Sequence, residues 1–205
     1  MKKTLCLATR NAHKVQELGP VLAPYWTVKC SADYPEMAQL DEIEESGDTF
    51  LANATLKAVT TSQVVPDHVL ADDSGLECDA LDGAPGVFSA RYGGIPSSAE
   101  RNNAKLLQEL ERVGASTPQQ RSGRFRCVLV LAKAGEVVAS FEGACEGTLA
   151  LGPKGTHGFG YDPLFIPQGY TRTFGQLGEK TKMGLSHRGL ALKRFLEWCK
   201  ANPLE

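Results

Sequence analysis

The sequence predicts an α/β protein with a mixed sheet. Short apolar runs of strand length alternate along the chain with longer stretches of helical periodicity. A hairpin signature near residue 134 adds an antiparallel component to that sheet. At 205 residues, with 42% hydrophobic and 22% charged, the chain fits one globular domain, 1–205, or two small lobes, and excludes a fibrous or disordered protein.

Residues 4–8 form an apolar run read as a buried first strand, too short for the core of a signal peptide, and no export signal is expected. The run ends at Thr9-Arg10-Asn11, after which Val15, Leu18, Val21 and Leu22 recur at helical spacing. Residues 26–30 read as a second strand, followed by an acidic loop holding Asp41, Glu42, Glu44, Glu45 and Asp48. Residues 49–65 lack Gly and Pro, are rich in Ala and Leu, and begin on Asp48-Thr49, which predicts a long capped helix. Val69-Leu70-Ala71 is a brief buried strand expected to stop at Asp72-Asp73-Ser74-Gly75, a cluster of turn formers.

Between 80 and 97, six Gly and Pro residues (Gly83, Pro85, Gly86, Gly93, Gly94 and Pro96) exclude long regular structure and predict a shaped loop. Residues 99–113 read as an amphipathic helix. Residues 124–132 and 137–145 read as two strands joined at Lys133-Ala134-Gly135-Glu136. A Gly-rich stretch at 152–162 precedes the apolar 164–166, and a loop ending in Ser186-His187-Arg188 leads to a closing helix over 190–198.

Charge narrows the function. The 22 Lys plus Arg against 24 Asp plus Glu, a net charge of -2, argue against binding a nucleic-acid polymer. The longest uncharged apolar stretches, such as 127–132, fall far short of the about 18 residues a membrane span needs, so no membrane partner is expected. The six cysteines, at 6, 30, 78, 127, 145 and 199, include no Cys-x-x-Cys and several lie in apolar runs, which predicts reduced packing thiols and a cytoplasmic protein. The four histidines show no transition-metal spacing, which leaves a hard cation held by carboxylates.

Four polar clusters fall at element ends, where side chains converge on a crevice more readily than in mid-element. Thr9, Asn11 and Lys14 mark a strand meeting a helix N-terminus, a combination suited to phosphate, although an ordinary N-cap has the same residues and the P-loop pattern is absent. Asn53 and Lys57 stand four apart and share one helix face, where a surface lysine is the plain alternative. Asp72 and Asp73 adjoin Ser74 at the end of a buried strand. If they are more than turn formers, their repulsion needs a cation or basic side chain to offset it. Glu45 with Asp73 could supply the partial oxygen shell that Mg²⁺ prefers, with Lys57 available to orient a carboxylate or a phosphate; chemistry alone does not choose Glu45 over Glu44, and register, twelve positions before Lys57, favours Glu45. Phe159, Gly160, Tyr161 and Asp162, with Lys182, His187 and Arg188, offer an aromatic face, a carboxylate and donors for base oxygens. Phosphate binders, a hard-metal site and a base platform in one acidic chain together imply a nucleoside triphosphate.

The chain resembles the inosine triphosphate pyrophosphatase family, also called the XTP/dITP diphosphatases. The resemblance lies in six ordered segments: Ala8-Thr9-Arg10-Asn11 with Lys14 and Glu17; Thr49-Phe50 with Asn53-Ala54 and Lys57-Ala58; Ala71 to Leu76; Gly83 to Tyr92; Gly158 to Pro163; and Ser186-His187-Arg188-Gly189. The resemblance implies two lobes around a central cleft, a homodimer, and Mg²⁺-dependent hydrolysis of ITP, dITP and XTP to the monophosphate and pyrophosphate. By position it implies phosphate binding by Thr9, Asn11 and Lys14, metal binding by Glu45 and Asp73, and Asp73 as proton acceptor. Lys57 and Asp72 match polar residues of the catalytic cleft and Ser74 a substrate contact. Phe159, Gly160, Tyr161, Asp162, Lys182, His187 and Arg188 match the base pocket. Two positions depart from the family pattern: Ala52 where many relatives have Glu, and Arg10 where Gly is frequent. A hydrolase of modified pyrimidine triphosphates and a nucleotide-binding module without catalysis are the competing readings.

Overall fold

The computed structural model of the protein describes residues 2–39 and 43–204. Among the described residues, eleven strands and α-helices follow one another, most of them in the predicted order. They are β1 (Thr4–Leu7), α1 (Ala12–Leu22), β2 (Thr27–Cys30), α2 (Phe50–Val64), β3 (His68–Cys78), α3 (Ala99–Arg112), β4 (Ser122–Lys133), β5 (Glu136–Leu149), β6 (Phe165–Pro167), α4 (Glu179–Leu185) and α5 (His187–Ala201). The six strands form one sheet in the order β2-β1-β3-β4-β5-β6. Strand β1 pairs in parallel with β2 (Thr4 opposite Thr27) and with β3 (Leu5 opposite His68), whereas β5 and β6 are antiparallel. The sheet is therefore mixed, as expected. The hairpin between β4 and β5 turns on Ala134 and Gly135, both at positive φ (51° and 84°), the backbone that a two-residue hairpin loop demands.

Local chemistry explains where the helices begin. Asn11 caps α1, its Oδ1 accepting from the His13 amide at 2.9 Å. Thr49 caps α2, its hydroxyl accepting from the Ala52 amide at 3.1 Å, and Phe50, Ala54, Ala58 and Thr61 then bury one stripe. Ser98 caps α3, whose Asn102, Leu106 and Leu110 are buried at four-residue spacing.

Two expectations are corrected. The Asp72-Asp73-Ser74-Gly75 segment does not end its strand: β3 runs through it to Cys78, with Asp72 and Asp73 buried. Turn propensity is a weak local bias, and sheet pairing together with ion pairs to these carboxylates overrides it. The closing helix starts at His187 rather than 190, and a further short helix, α4, lies where a loop was expected. Asp41 and Glu42 of the acidic loop lie outside the described residues.

The chain divides into two compact units. One comprises Met1–Asp73, Val128–Glu142 and Ala191–Glu205, and the other Ser74–Cys127 and Gly143–Leu190. In the first, Leu5, Leu7, Leu18 and Leu22 are buried, and Phe195 packs at 5.4 Å from both Trp26 and Phe141. In the second, Leu76, Leu106, Leu110 and Leu164 join an aromatic core in which Phe165 lies 4.6 Å from Phe125 and 5.4 Å from Phe174. The six cysteines are free thiols. Burial pushes those of Cys6 and Cys78 up to about 12. Among the described residues no helix is long and apolar enough to cross a membrane.

Candidate active site

Within the first unit, the polar residues of β3, α2 and the acidic loop converge. The Lys57 ammonium donates to Glu45 Oε1 at 2.8 Å and to Asp73 Oδ1 at 2.9 Å. Carboxylates 28 positions apart in the chain thus meet across one ammonium group. The second Asp73 oxygen, Oδ2, is buried and has no hydrogen-bond partner among the described residues. Asp72 forms a second ion pair, with Lys14 of α1, whose ammonium also donates to the Asp72 carbonyl at 3.3 Å. Asn53 holds the loop: its Oδ1 accepts from the Gly47 amide at 2.8 Å, which fixes the chain two residues after Glu45. A Cβ at Gly47 would lie 2.8 Å from that same oxygen, so the tether requires glycine there.

The electrostatics follow from burial and proximity. Burial is the largest influence on Lys57 and draws its ammonium down, but Asp73 and Glu45 together outweigh it and hold the group above its ordinary 10.5. Burial is also the largest influence on Asp73, and Lys57 offsets it only in part, so the carboxyl stays above its ordinary 3.8. An elevated carboxylate is a better proton acceptor near neutrality than an ordinary one.

The donor set suits a hard divalent cation. Among the described residues no group of three or more His, Cys, Asp or Glu converges, so the candidate ligands here are two carboxylates, Glu45 and Asp73. Mg²⁺ is commonly held by one or two carboxylates, with waters and phosphate oxygens completing its shell. The buried, unpartnered Asp73 Oδ2 is an acceptor that such an ion would satisfy.

Thr9 and Asn11 lie where the strand meets α1. The Thr9 hydroxyl accepts from the Asn11 amide at 3.1 Å, and Asn11 serves as the cap, so both are engaged in the turn that presents the helix start. Arg10 is exposed beside them.

The second unit holds the other predicted residues. Asp162 Oδ2 accepts from the Lys182 ammonium at 2.6 Å and from the Phe159 amide at 2.8 Å, and this ion pair is almost wholly buried. The Lys182 ammonium also lies 4.8 Å from the Phe159 ring centroid, and the Arg188 guanidinium 5.7 Å from it. Arg188 is 2% exposed and donates to the Ser74 hydroxyl at 2.7 Å. His187 stacks on Phe125 at 4.7 Å with an interplanar angle of 14°. Tyr161 belongs to the apolar core, and its hydroxyl donates to the Ser89 carbonyl at 2.8 Å. Phe159, rather than Tyr161, therefore carries the aromatic face that meets the two cations. Sequence reasoning missed Asn102 and Asn103 of α3, which bond the loops at 89–93 and 160. A helical Asn-Asn pair carries no signal that separates it from ordinary surface.

A mixed-sheet α/β chain with two buried aspartates on one strand, paired to lysines of the flanking helices, has the build of a phosphate-processing enzyme. More specifically, the chain belongs to the Ham1 family, whose model matches residues 5–198. It is 46% identical over 195 residues to a dITP/XTP pyrophosphatase of Desulforamulus reducens, covering 94% of each chain. It is 44% identical over 203 residues to a dITP/XTP pyrophosphatase of Lactococcus lactis, covering 97% of this chain and 98% of the relative. Among solved structures, a HAM1 protein from Coxiella burnetii superposes with a TM-score of 0.87 at 34% identity, covering 97% of this chain and 99% of the other.

Proposed function

We propose that this chain hydrolyses the triphosphates ITP, dITP and XTP to the monophosphate and pyrophosphate, removing aberrant purines from the nucleotide pool. The observation that carries this reading is the Lys57 ammonium between Glu45 and Asp73, with one buried Asp73 oxygen left unpartnered among the described residues. The relatives named dITP/XTP pyrophosphatases support the substrate class. They do not favour a hydrolase of modified pyrimidine triphosphates, and a passive nucleotide binder has no need of an elevated carboxylate beside a second acid and a lysine.

In the mechanism, a water attacks the α-phosphorus, and the bond from that phosphorus to the bridging oxygen of the pyrophosphate breaks. Asp73 orients the water and takes its proton. Lys57 and Lys14 offset charge gathering on the α-phosphate and the departing pyrophosphate, for which they loosen from their carboxylates. Glu45 and Asp73 would hold Mg²⁺, which supplies further positive charge against the phosphate oxygens. Thr9 and Asn11 present the start of α1 to phosphate. Phe159 stacks the base while Arg188 and Lys182 favour a ring oxygen at the six-position over an amino group, with Asp162 and His187 fixing the surroundings and Ser74 anchoring Arg188. The working form is a homodimer in the cytoplasm, a setting with which six free thiols agree.

The test is product analysis by chromatography with ITP, XTP, dITP, ATP and a modified dTTP, with Mg²⁺ and again with a chelator. IMP and pyrophosphate from ITP, abolished by the chelator and scarce from ATP, are expected. Intact ITP with Mg²⁺ present, or faster cleavage of the pyrimidine analogue, overturns the proposal.

A further inference from the structure

Helix α3 carries a residue that none of the chemistry above uses. Asn103 donates from Nδ2 to the Gly160 carbonyl at 3.0 Å, and its Oδ1 is buried without a partner among the described residues. Gly160 stands at φ +62°, a left-handed conformation, directly after Phe159. Such a peptide has no strand or helix ladder to hold its carbonyl, so the side-chain amide of Asn103 is what sets its orientation. Two further bonds hold the same loop. The Asp162 carboxylate accepts from the Phe159 amide, and the Tyr161 hydroxyl donates to the Ser89 carbonyl.

Asn102, the preceding residue of α3, donates to the Ala90 carbonyl at 3.0 Å and accepts from the Gly93 amide at 2.6 Å. Adjacent asparagines on one helix thus pin two different loops, and the Ser89 carbonyl, bonded by both Tyr161 and Asn102, joins the two attachments. The Phe159 ring, 4.8 Å from the Lys182 ammonium and 5.7 Å from the Arg188 guanidinium, is aimed by this arrangement.

We infer that Asn103 is a positioning residue for base selection: through the Gly160 carbonyl it holds the Phe159 ring at the angle on which discrimination among purine bases depends. This rests on the function proposed above. It places specificity on a residue that touches neither the phosphates nor the acid–lysine cluster.

The experiment compares wild type, Asn103→Ala, Asn103→Asp and Asn103→Gln in steady-state hydrolysis of ITP and GTP, with thermal midpoints recorded for each. Asn103→Asp keeps the size but removes the donor. Loss of one such hydrogen bond is expected to raise KM for ITP about five-fold in the Ala and Asp variants, with kcat within about two-fold. The ratio of ITP to GTP efficiency falls, and Asn103→Gln, which keeps the amide, recovers part of it. Unchanged ITP kinetics in Asn103→Ala, or equal losses for ITP and GTP that track a lower thermal midpoint, overturn the assignment. Wild-type activity separates the two levels. A wild type inert toward ITP removes the proposed function itself, whereas an active wild type with an indifferent Asn103→Ala removes only the role of Asn103.

Discussion

The polar cluster of the first unit and that of the second are built from the same materials and arranged differently. Around β3, the three carboxylates Glu45, Asp72 and Asp73 face two lysines, Lys14 and Lys57, and one buried carboxylate oxygen has no hydrogen-bond partner among the described residues. Around Phe159, the Asp162 carboxylate accepts from Lys182, and the Lys182 ammonium and the Arg188 guanidinium both lie over the aromatic ring. In the first group one ammonium bridges two carboxylates beside a buried acceptor, an arrangement that suits an incoming cation with its phosphates. In the second, cations over an aromatic face suit the electron-rich oxygens of a base. Arrangement, more than composition, distinguishes the two clusters.

That contrast breaks first at Asp73. Replacing Asp73 with Asn keeps shape and removes the proposed proton acceptor, so kcat for ITP is expected to fall by about 10²- to 10⁴-fold while circular dichroism stays unchanged. Near-normal turnover would place the proton acceptor elsewhere. In the second unit the equivalent loss is one of stability. Asp162→Ala removes the carboxylate paired with a buried Lys182 ammonium and is expected to cost about 3–5 kcal/mol in urea unfolding. A cost below about 1 kcal/mol would mean that the pair is solvated.

Next in size is Arg188→Ala, expected to raise KM for ITP by about ten-fold and to lower kcat less, because the proposed role of the guanidinium is to bind the base and not the reacting phosphate. The reverse pattern in initial-rate kinetics would move Arg188 into the catalytic group. Smallest is a control on an exposed cluster, where Arg124 bonds Asp79 at 2.8 Å and Glu146 at 3.0 Å. The Asp79 carboxyl is held below its ordinary 3.8, first by the Ser122 hydroxyl and then by Arg124. Its stabilisation is therefore present above pH 3.8 and lost as pH falls through the lower folded value. Ser122→Ala is expected to move the Asp79 midpoint upward in carboxyl NMR titration and to change stability at pH 7 by less than about 1 kcal/mol. A larger change would show that exposed charge clusters in this protein matter as much as buried ones.

Much of the frame was legible along the chain because it depends on near neighbours. Thr49 before a Gly- and Pro-free stretch announces α2, and the observed helix starts one residue later. Ala134-Gly135 announces the hairpin. The Asp72-Asp73-Ser74-Gly75 segment was misread for the same reason in reverse. Its local preference is for a turn, and partners 58 and 16 positions away, Lys14 and Lys57, help make a strand of buried aspartates tolerable. Helix α4 and the early start of α5 escaped notice because neither carries a run of periodic apolar residues long enough to read.

By itself, then, the sequence determined the order and kind of most elements, and which residue types were available for chemistry, since capping, turn formation and periodicity act within a few residues. Tertiary structure alone decided that one lysine spans two distant carboxylates, that an aspartate oxygen lies buried beside them, and that Phe159 rather than Tyr161 faces the cations. Desolvation and ion pairing depend on which remote groups burial brings together, and that distance is not written in local spacing.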